Sequence, residues 1–358
     1  MPLLLHERVG RFWGRHRTLF WMLHSAWALT TGTVILLLAR ERYHLVLWVV
    51  LFLALTWSST LFFGRVTGVD AKRPPGFLHE VTSYVTRVLY QETLFFLLPF
   101  YAYSTVIGSP NVLFLGLLGG LALLSCIDLL FDRWLRTRPV FALTFFAIVA
   151  FAAINLLLPL LVGLRPRFAA PAAALLAVGG AVPLALRTAQ TRLGVRLRLL
   201  AAAVVFIAVA LGLPELIPPV PLRLERATFA SGIDSKTLAL ADTLPQHAAP
   251  GGRGLFVLVR VFAPSALPVH VQLEWRRDGE LLRVSREVGI VAHAAGFRVW
   301  DGWHPPSGSV SPGRYRVVLR TSGGRVFGVA KLTVGDQATG GRGQGEDSRS
   351  GKAGFRGS

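Results

Sequence analysis

The 358-residue sequence is short of charge and of cysteine. Charged residues make up 16% of it, against about 25% in a typical soluble protein. The single cysteine, Cys126, excludes an intramolecular disulfide, so the C-terminal half must fold without one. The sequence has no metal-ligand spacing of His and Cys, no phosphate-binding glycine loop and no nucleophile elbow. It therefore predicts neither a metal nor a cofactor, and it favours a protein that is not an enzyme.

Charge is missing above all from seven long apolar windows. A bilayer core about 30 Å thick needs roughly 20 apolar residues in a helix, and seven stretches between residues 19 and 217 have that length. They are Leu19–Ala39, Leu45–Phe63, Val88–Ile107, Val112–Phe131, Val140–Val162, Phe168–Leu186 and Leu199–Ile217. The sequence predicts a polytopic α-helical membrane bundle of seven transmembrane helices over residues 19–217.

Basic residues lie mainly on one side of these predicted spans. If the N-terminus is cytoplasmic, residues 1–18 and the alternate loops carry fifteen Arg and Lys, and the other loops carry four. Such a bias marks the cytoplasmic side, and Arg outnumbers Lys 34 to 4, which is typical of a GC-rich bacterial genome. We therefore expect a multi-pass protein of the bacterial inner membrane, with a basic amphipathic N-terminus inside and its C-terminal domain outside. The net charge is +19, and its concentration beside the apolar windows is a signal of membrane topology. The sequence has no recognisable module of basic and aromatic residues, so it does not predict nucleic-acid binding.

The C-terminal third has the pattern of a β domain. A proline-rich linker, residues 218–221, precedes strands in which apolar and polar residues alternate, as in Val269–Trp275. Asp278–Gly279 is a signal for a tight hairpin turn, and Ser322–Gly324 is another. About eight short strands without a helical pattern predict an all-β antiparallel sandwich over residues 222–335. The glycine- and charge-rich tail, residues 336–358, has the composition of a disordered segment.

Three runs of this β region resemble a known bacterial domain. They are VQLEWRRDGELLRV, FRVWDGW and SPGRYRVVLRTSGGRVFGVAKLTV, and their order is similar to that in the C-terminal domain of unknown function 2914. The multi-span region before it is similar in layout to the companion domain of unknown function 5924. Neither family has an established activity, so the resemblance implies architecture and no catalytic residues.

Polar residues inside the predicted spans form one candidate site. At a rise of about 1.5 Å per residue, His24, Arg87, Gln91, Glu92 and Asp128 fall at a similar depth in the inner leaflet. Intramembrane ionisable groups are costly, and a proton- or ion-linked site or an anionic headgroup pocket would justify them. The alternative is a structural ion pair that joins the third and fourth spans, and we favour it because paired charges satisfy each other.

Aromatic residues of the β region form a second candidate site. Trp300, Trp303, His304 and Tyr315 are candidates for a platform that binds sugar rings or a peptide. The alternative is that they pack at a sheet edge. Trp275 continues the apolar face of its strand and is predicted to lie in the core.

These patterns favour a non-enzymatic envelope protein. In this interpretation, helices in the lipid bilayer anchor a β-sandwich that binds an envelope protein, peptide or glycan outside the cytoplasm. The competing hypothesis is a membrane transporter or intramembrane enzyme that uses Arg87, Glu92 and Asp128.

Overall fold

The computed structural model describes residues 77–126, 138–188, 193–249, 252–263, 269–290 and 296–335, together with a few single positions. The helices of these segments form the first half of the molecule. They are α1 (Phe77–Ser104), α2 (Val112–Cys126), α3 (Pro139–Val162), α4 (Pro166–Thr188) and α5 (Leu193–Gly212). Pro139 starts α3 and Gly163, in the left-handed conformation, ends it, as is usual for helix termini.

The prediction of a seven-helix bundle is wrong. The described segments contain five α-helices, of which only α3, over Val140–Val162, is long and apolar enough to cross a membrane. Apolar windows do not locate helix ends. Helix α1 ends at Ser104, three residues before the end of the window Val88–Ile107, and α5 ends at Gly212, five residues before the end of the window Leu199–Ile217. The windows Leu19–Ala39 and Leu45–Phe63, the N-terminal segment 1–18 and the tail 336–358 lie outside the described segments.

Among the described helices, α3 lies at the centre. On one side it packs with α1 and α2 around buried Leu94, Phe100 and Leu118. On the other side, the alanine-rich face of α4 lies against Phe146 and Phe151 of α3. Small side chains on α4 let two backbones approach closely, so the alanine content of α4 is used for packing.

Two sheets form the second half. The strands are β1 (Arg223–Ile233), β2 (Leu240–Leu244), β3 (His247–Ala248), β4 (Leu255–Phe262), β5 (Val269–Arg277), β6 (Glu280–Val284), β7 (Val288–Ile290), β8 (Phe297–Trp303), β9 (Gly313–Thr321) and β10 (Val326–Val334). The first sheet has the order β2-β1-β4-β8, and the second has the order β3-β10-β9-β5-β6, with β7 also paired to β5.

The expected all-antiparallel sandwich needs a correction at β3. This strand runs parallel to β10, so the second sheet is mixed. Two residues are too few to leave a periodic signal, which is why the sequence did not predict β3 or its direction. The other pairings are antiparallel.

Local signals predicted β5 and two of the hairpin turns. Val269, Val271, Leu273 and Trp275 are buried on β5, and the residues between them are half-buried. Asp278 and Gly279 both have positive φ, 49° and 99°, as a two-residue hairpin with the twist of its strands requires. The hairpin signals at Asp278–Gly279 and Ser322–Gly324 are thus confirmed.

The sheets approach closely where Gly328 of β10 faces Leu224 of β1. A Cβ atom on Gly328 would lie 2.5 Å from Cβ of Leu224. Rotation of the leucine side chain cannot relieve this contact, because a Cβ atom is fixed to the backbone. Glycine at position 328 therefore sets the distance between the sheets at this point.

Replacing Gly328 with alanine is expected to destabilise the protein. The backbone would have to shift, at a cost of about 1–3 kcal/mol, measured as a lower midpoint in chemical unfolding of the full chain in detergent. Gly232→Ala on β1 is the control, since its new Cβ would meet only Ala241 Cβ, at an ordinary 3.5 Å. Equal effects of the two substitutions would contradict the close approach.

Candidate functional site

The turn between β9 and β10 enters the helical half. Arg325 of this turn is 4% exposed, and Nδ2 of Asn111, just before α2, donates to the carbonyl oxygen of Val326 at 3.0 Å. A Cβ atom on Gly323 would lie 3.2 Å from Cα of Arg167 in α4. The tip of one hairpin therefore contacts α4 and the residue that precedes α2.

A chain of hydrogen bonds runs from this turn into the helices. Nη1 of Arg325 donates to Oδ1 of Asn155 in α3 at 3.4 Å. Nδ2 of Asn155 donates to the hydroxyl of Tyr101 in α1 at 3.1 Å, and that hydroxyl donates to the carbonyl of Ala152 at 2.9 Å. All three side chains are buried, so the network joins the hairpin to α1 and α3. We call these residues the junction network.

The guanidinium of Arg325 is held by a neutral amide. No carboxylate of the described residues lies within 4.0 Å of it. Burial lowers the pKa of Arg325 to about 10, which leaves the group positively charged at neutral pH. A buried charge is tolerated only when hydrogen bonds compensate it, so the position of the turn depends on Asn155.

A second arginine pairs at the edge of the same contact. Nε of Arg320 on β9 lies 2.8 Å from Oε1 of Glu274 on β5, and Nη1 contacts Glu215 of the turn that follows α5. Burial acts to lower the pKa of Arg320, but the hydrogen bonds and charges of Glu215 and Glu274 outweigh it and raise that pKa. Glu215 thus connects the end of the helical half to the second sheet.

A family model matches the larger part of the chain. The model described as a family of unknown function (DUF5924) matches residues 4–250. The chain belongs to the DUF5924 family. The match continues past the linker at Pro221 through β1, β2 and β3 and ends before β4. No curated protein matches the chain, and no solved structure matches it.

Two of the five predicted polar-layer residues have described side chains. Gln91 is buried on α1, and its Nε2 donates to Sγ of Cys126 on α2 at 3.3 Å. Glu92 is half-buried one residue further along. The side chain of Arg87 lies outside the described part of this DUF5924 chain, as do His24 and Asp128.

The four predicted aromatic-platform residues divide into two pairs. Trp303 and Tyr315 are buried in the sandwich with ring centroids 5.8 Å apart, so they belong to the core. Trp300 and His304 are exposed, and the imidazole ring of His304 packs edge-on against Phe256 at 5.3 Å. Trp275 is fully buried, as the alternation predicted, and its Nε1 donates to Asp301 at 2.9 Å.

The described residues contain no group of three His, Cys, Asp or Glu side chains that could hold a metal ion. The junction network contains an amide, a phenol and a guanidinium, which serve to bind and orient rather than to transfer protons at neutral pH. No local sequence pattern relates Asn155 to Arg325, because the two residues lie 170 positions apart.

The junction network predicts strong coupling between Asn155 and Arg325. Asn155→Leu leaves the guanidinium and the Tyr101 hydroxyl without their partner and is expected to lower the free energy of unfolding by about 2 kcal/mol. In an Arg325→Met background, the same change should cost less, by about 1 kcal/mol or more. Denaturant titration of the four proteins in detergent measures this difference.

Arg314→Met is the control in that cycle, because Arg314 is an exposed arginine of the same sheet. Its combination with Asn155→Leu is expected to be additive. Additive effects of Asn155 and Arg325 as well would contradict the network.

The two carboxylates that contact Arg320 are expected to contribute unequally to the free energy of unfolding. The side chain of Glu274 is 15% exposed and that of Glu215 is 46% exposed. Glu274→Gln should destabilise the protein by about 1–3 kcal/mol because a mostly buried charge loses its partner. Glu215→Gln should cost about 1 kcal/mol or less, and the reverse order in unfolding measurements would refute this assignment.

Proposed function

We propose that this DUF5924 protein is a non-enzymatic anchor of the bacterial inner membrane. The helices lie in the lipid, and the β domain is held against the outer surface of the membrane, where it presents a sheet face to an envelope component. The proposal includes the resemblance of residues 222–335 to the domain of unknown function 2914, which adds an architecture and no activity.

The observation that carries the proposal is the distribution of exposed aliphatic side chains. On the helices, Leu113 is 68% exposed, Leu175 61% and Leu193 72%. The other exposed large apolar residues of α2, α4 and α5 are Val112, Leu117, Leu123, Phe168, Leu176, Val182, Leu197, Leu200, Val204, Val205, Val209 and Leu211. Among the large apolar residues of the described sandwich, only Leu281, Val284 and Trp300 are exposed.

A surface of this kind is unfavourable in water and favourable in lipid. Soluble monomers rarely expose contiguous apolar patches larger than a few hundred Å². Here the exposed leucine and valine side chains occur on three helices, whereas the sandwich has the polar surface of a water-soluble domain. The contrast supports lipid around the helices and water around the sheets.

The charge of the helix ends supports the orientation. The turn between β9 and β10 lies beside the end of α1, the start of α2 and the start of α4. These helix ends adjoin the loops that carry few arginines. The opposite helix ends carry Arg138, Arg196 and Arg198. By the positive-inside rule, the sandwich is on the side away from the cytoplasm.

Cysteine labelling tests the membrane sidedness of the sandwich. In a Cys126→Ala background, Ser309→Cys adds a thiol at an exposed position of the sandwich, and Leu193→Cys adds one at the start of α5. A membrane-impermeant maleimide should label Ser309→Cys in intact spheroplasts. It should label Leu193→Cys only after lysis, because that end of α5 faces the cytoplasm.

The same preparation tests the membrane location. The protein should stay in the pellet after alkaline carbonate extraction, as an embedded protein does. Release into the supernatant, or labelling of Ser309→Cys only after lysis, would overturn the proposal.

A further inference from the structure

Three arginines stand side by side across the first sheet. Arg226 of β1 is the direct cross-strand partner of Arg260 of β4, and Arg260 is the direct partner of Arg298 of β8. Their side chains point away from the core, since the neighbouring Val259, Val261 and Val299 are buried. We call Arg226, Arg260 and Arg298 the arginine row.

The row is unfavourable for folding by itself. Like charges directly opposite each other on adjacent strands destabilise a sheet. Glu225 pairs with Arg260, with Oε2 3.1 Å from Nε, but no carboxylate of the described residues lies within 4.0 Å of Arg226 or Arg298. A bound anion would offset the repulsion among these three positive charges.

Two clefts open onto the arginine row. One, of about 410 Å³, is lined by Tyr103, Arg223, Glu225, Arg226 and Arg260. The other, of about 340 Å³, shares Arg226 and Arg260 and adds Arg298, Thr228 and three leucines. Each is several times the volume of a water molecule, which is about 30 Å³, so each has room for a phosphate group.

The row lies at the end of the sheet that is nearest the helices. Strand β1 begins directly after the linker at Pro221, and Arg226 is its fourth residue. Tyr103, in the last turn of α1, has the guanidinium of Arg223 4.4 Å from its ring centroid and packs edge-on against Phe262, with centroids 5.5 Å apart. Since Tyr103 lines the first cleft, the arginine row begins beside the end of α1.

From this geometry we infer that the arginine row binds the phosphate of an anionic phospholipid headgroup at the outer surface of the membrane. The inference rests on the proposed function, because only helices in lipid bring headgroups to this end of the sheet. Guanidinium groups bind phosphate oxygens through two parallel hydrogen bonds, and the negative charge of the headgroup offsets the repulsion within the row. The tyrosine at the helix end anchors at the same level.

Lipid binding by the purified full chain in detergent tests the inference. Native mass spectrometry would compare the affinity for phosphatidylglycerol, which is anionic, with that for phosphatidylcholine, which is zwitterionic. The double variant Arg226→Gln with Arg298→Gln is expected to lose about tenfold in affinity for phosphatidylglycerol. Its affinity for phosphatidylcholine should not change.

The matched control removes the same charge from the other sheet. Arg314→Gln with Arg316→Gln changes two exposed arginines of β9 and should keep the wild-type affinity for phosphatidylglycerol. An equal loss in both double variants would show a general charge effect and would overturn the inference. Displacement of phosphatidylglycerol by millimolar inorganic phosphate would also overturn it, because the ligand would then be a free anion.

Unfolding measurements separate a binding role from a structural one. Because the arginines repel each other, Arg226→Gln with Arg298→Gln should leave the unfolding midpoint equal or higher in phosphatidylcholine. Phosphatidylglycerol should raise the midpoint of the wild-type protein and not that of the double variant. A lower midpoint of the double variant in phosphatidylcholine would mean that the row is structural and would refute the inference.

The sidedness of Ser309→Cys distinguishes the two proposals. If Ser309→Cys is labelled from outside and phosphatidylglycerol binding does not depend on the row, the lipid inference alone fails. If Ser309→Cys is labelled only after lysis, the proposed orientation fails, and so does the assignment to the outer surface of the membrane.

Discussion

The docking of the sandwich depends on one buried guanidinium. Arg325 carries its positive charge into the packing of α1 and α3, where the amide of Asn155 and, through it, the hydroxyl of Tyr101 hold it. A buried polar network stabilises a structure only when each member has its partner. Only one placement of the hairpin turn against α1 and α3 keeps these hydrogen bonds. The network therefore fixes the position of both sheets.

This constraint joins two regions whose exposed surfaces differ in polarity. The helices expose aliphatic side chains, and the sheets expose polar and charged ones. The junction network and the pair of Arg320 with Glu274 lie where these surfaces meet. Rigid docking at this boundary holds the arginine row close to the end of α1, at the level where the proposed lipid headgroups would lie.

Local sequence patterns predicted most of the sheet structure, because its causes are local. Alternation along β5 and the glycine turn after it specify a hairpin within about fifteen residues. The helices were predicted less well: apolar windows lie over all five described helices, but they placed the ends of α1 and α5 three and five residues too far along the chain. Hydropathy reports the composition of a segment, whereas helix bounds depend on how the segment packs against its neighbours.

By itself, the sequence determined that a charge-poor helical half precedes a β-rich half. It also determined that Trp275 lies in the core. Only the tertiary structure decided that Asn155 holds Arg325, that Trp303 and Tyr315 share the core, and that Arg226, Arg260 and Arg298 stand in register. The reason is physical. Alternation and turn residues act over a few positions of the chain, whereas a cross-strand neighbour or a buried hydrogen-bond partner is selected by the folding of segments far apart in sequence.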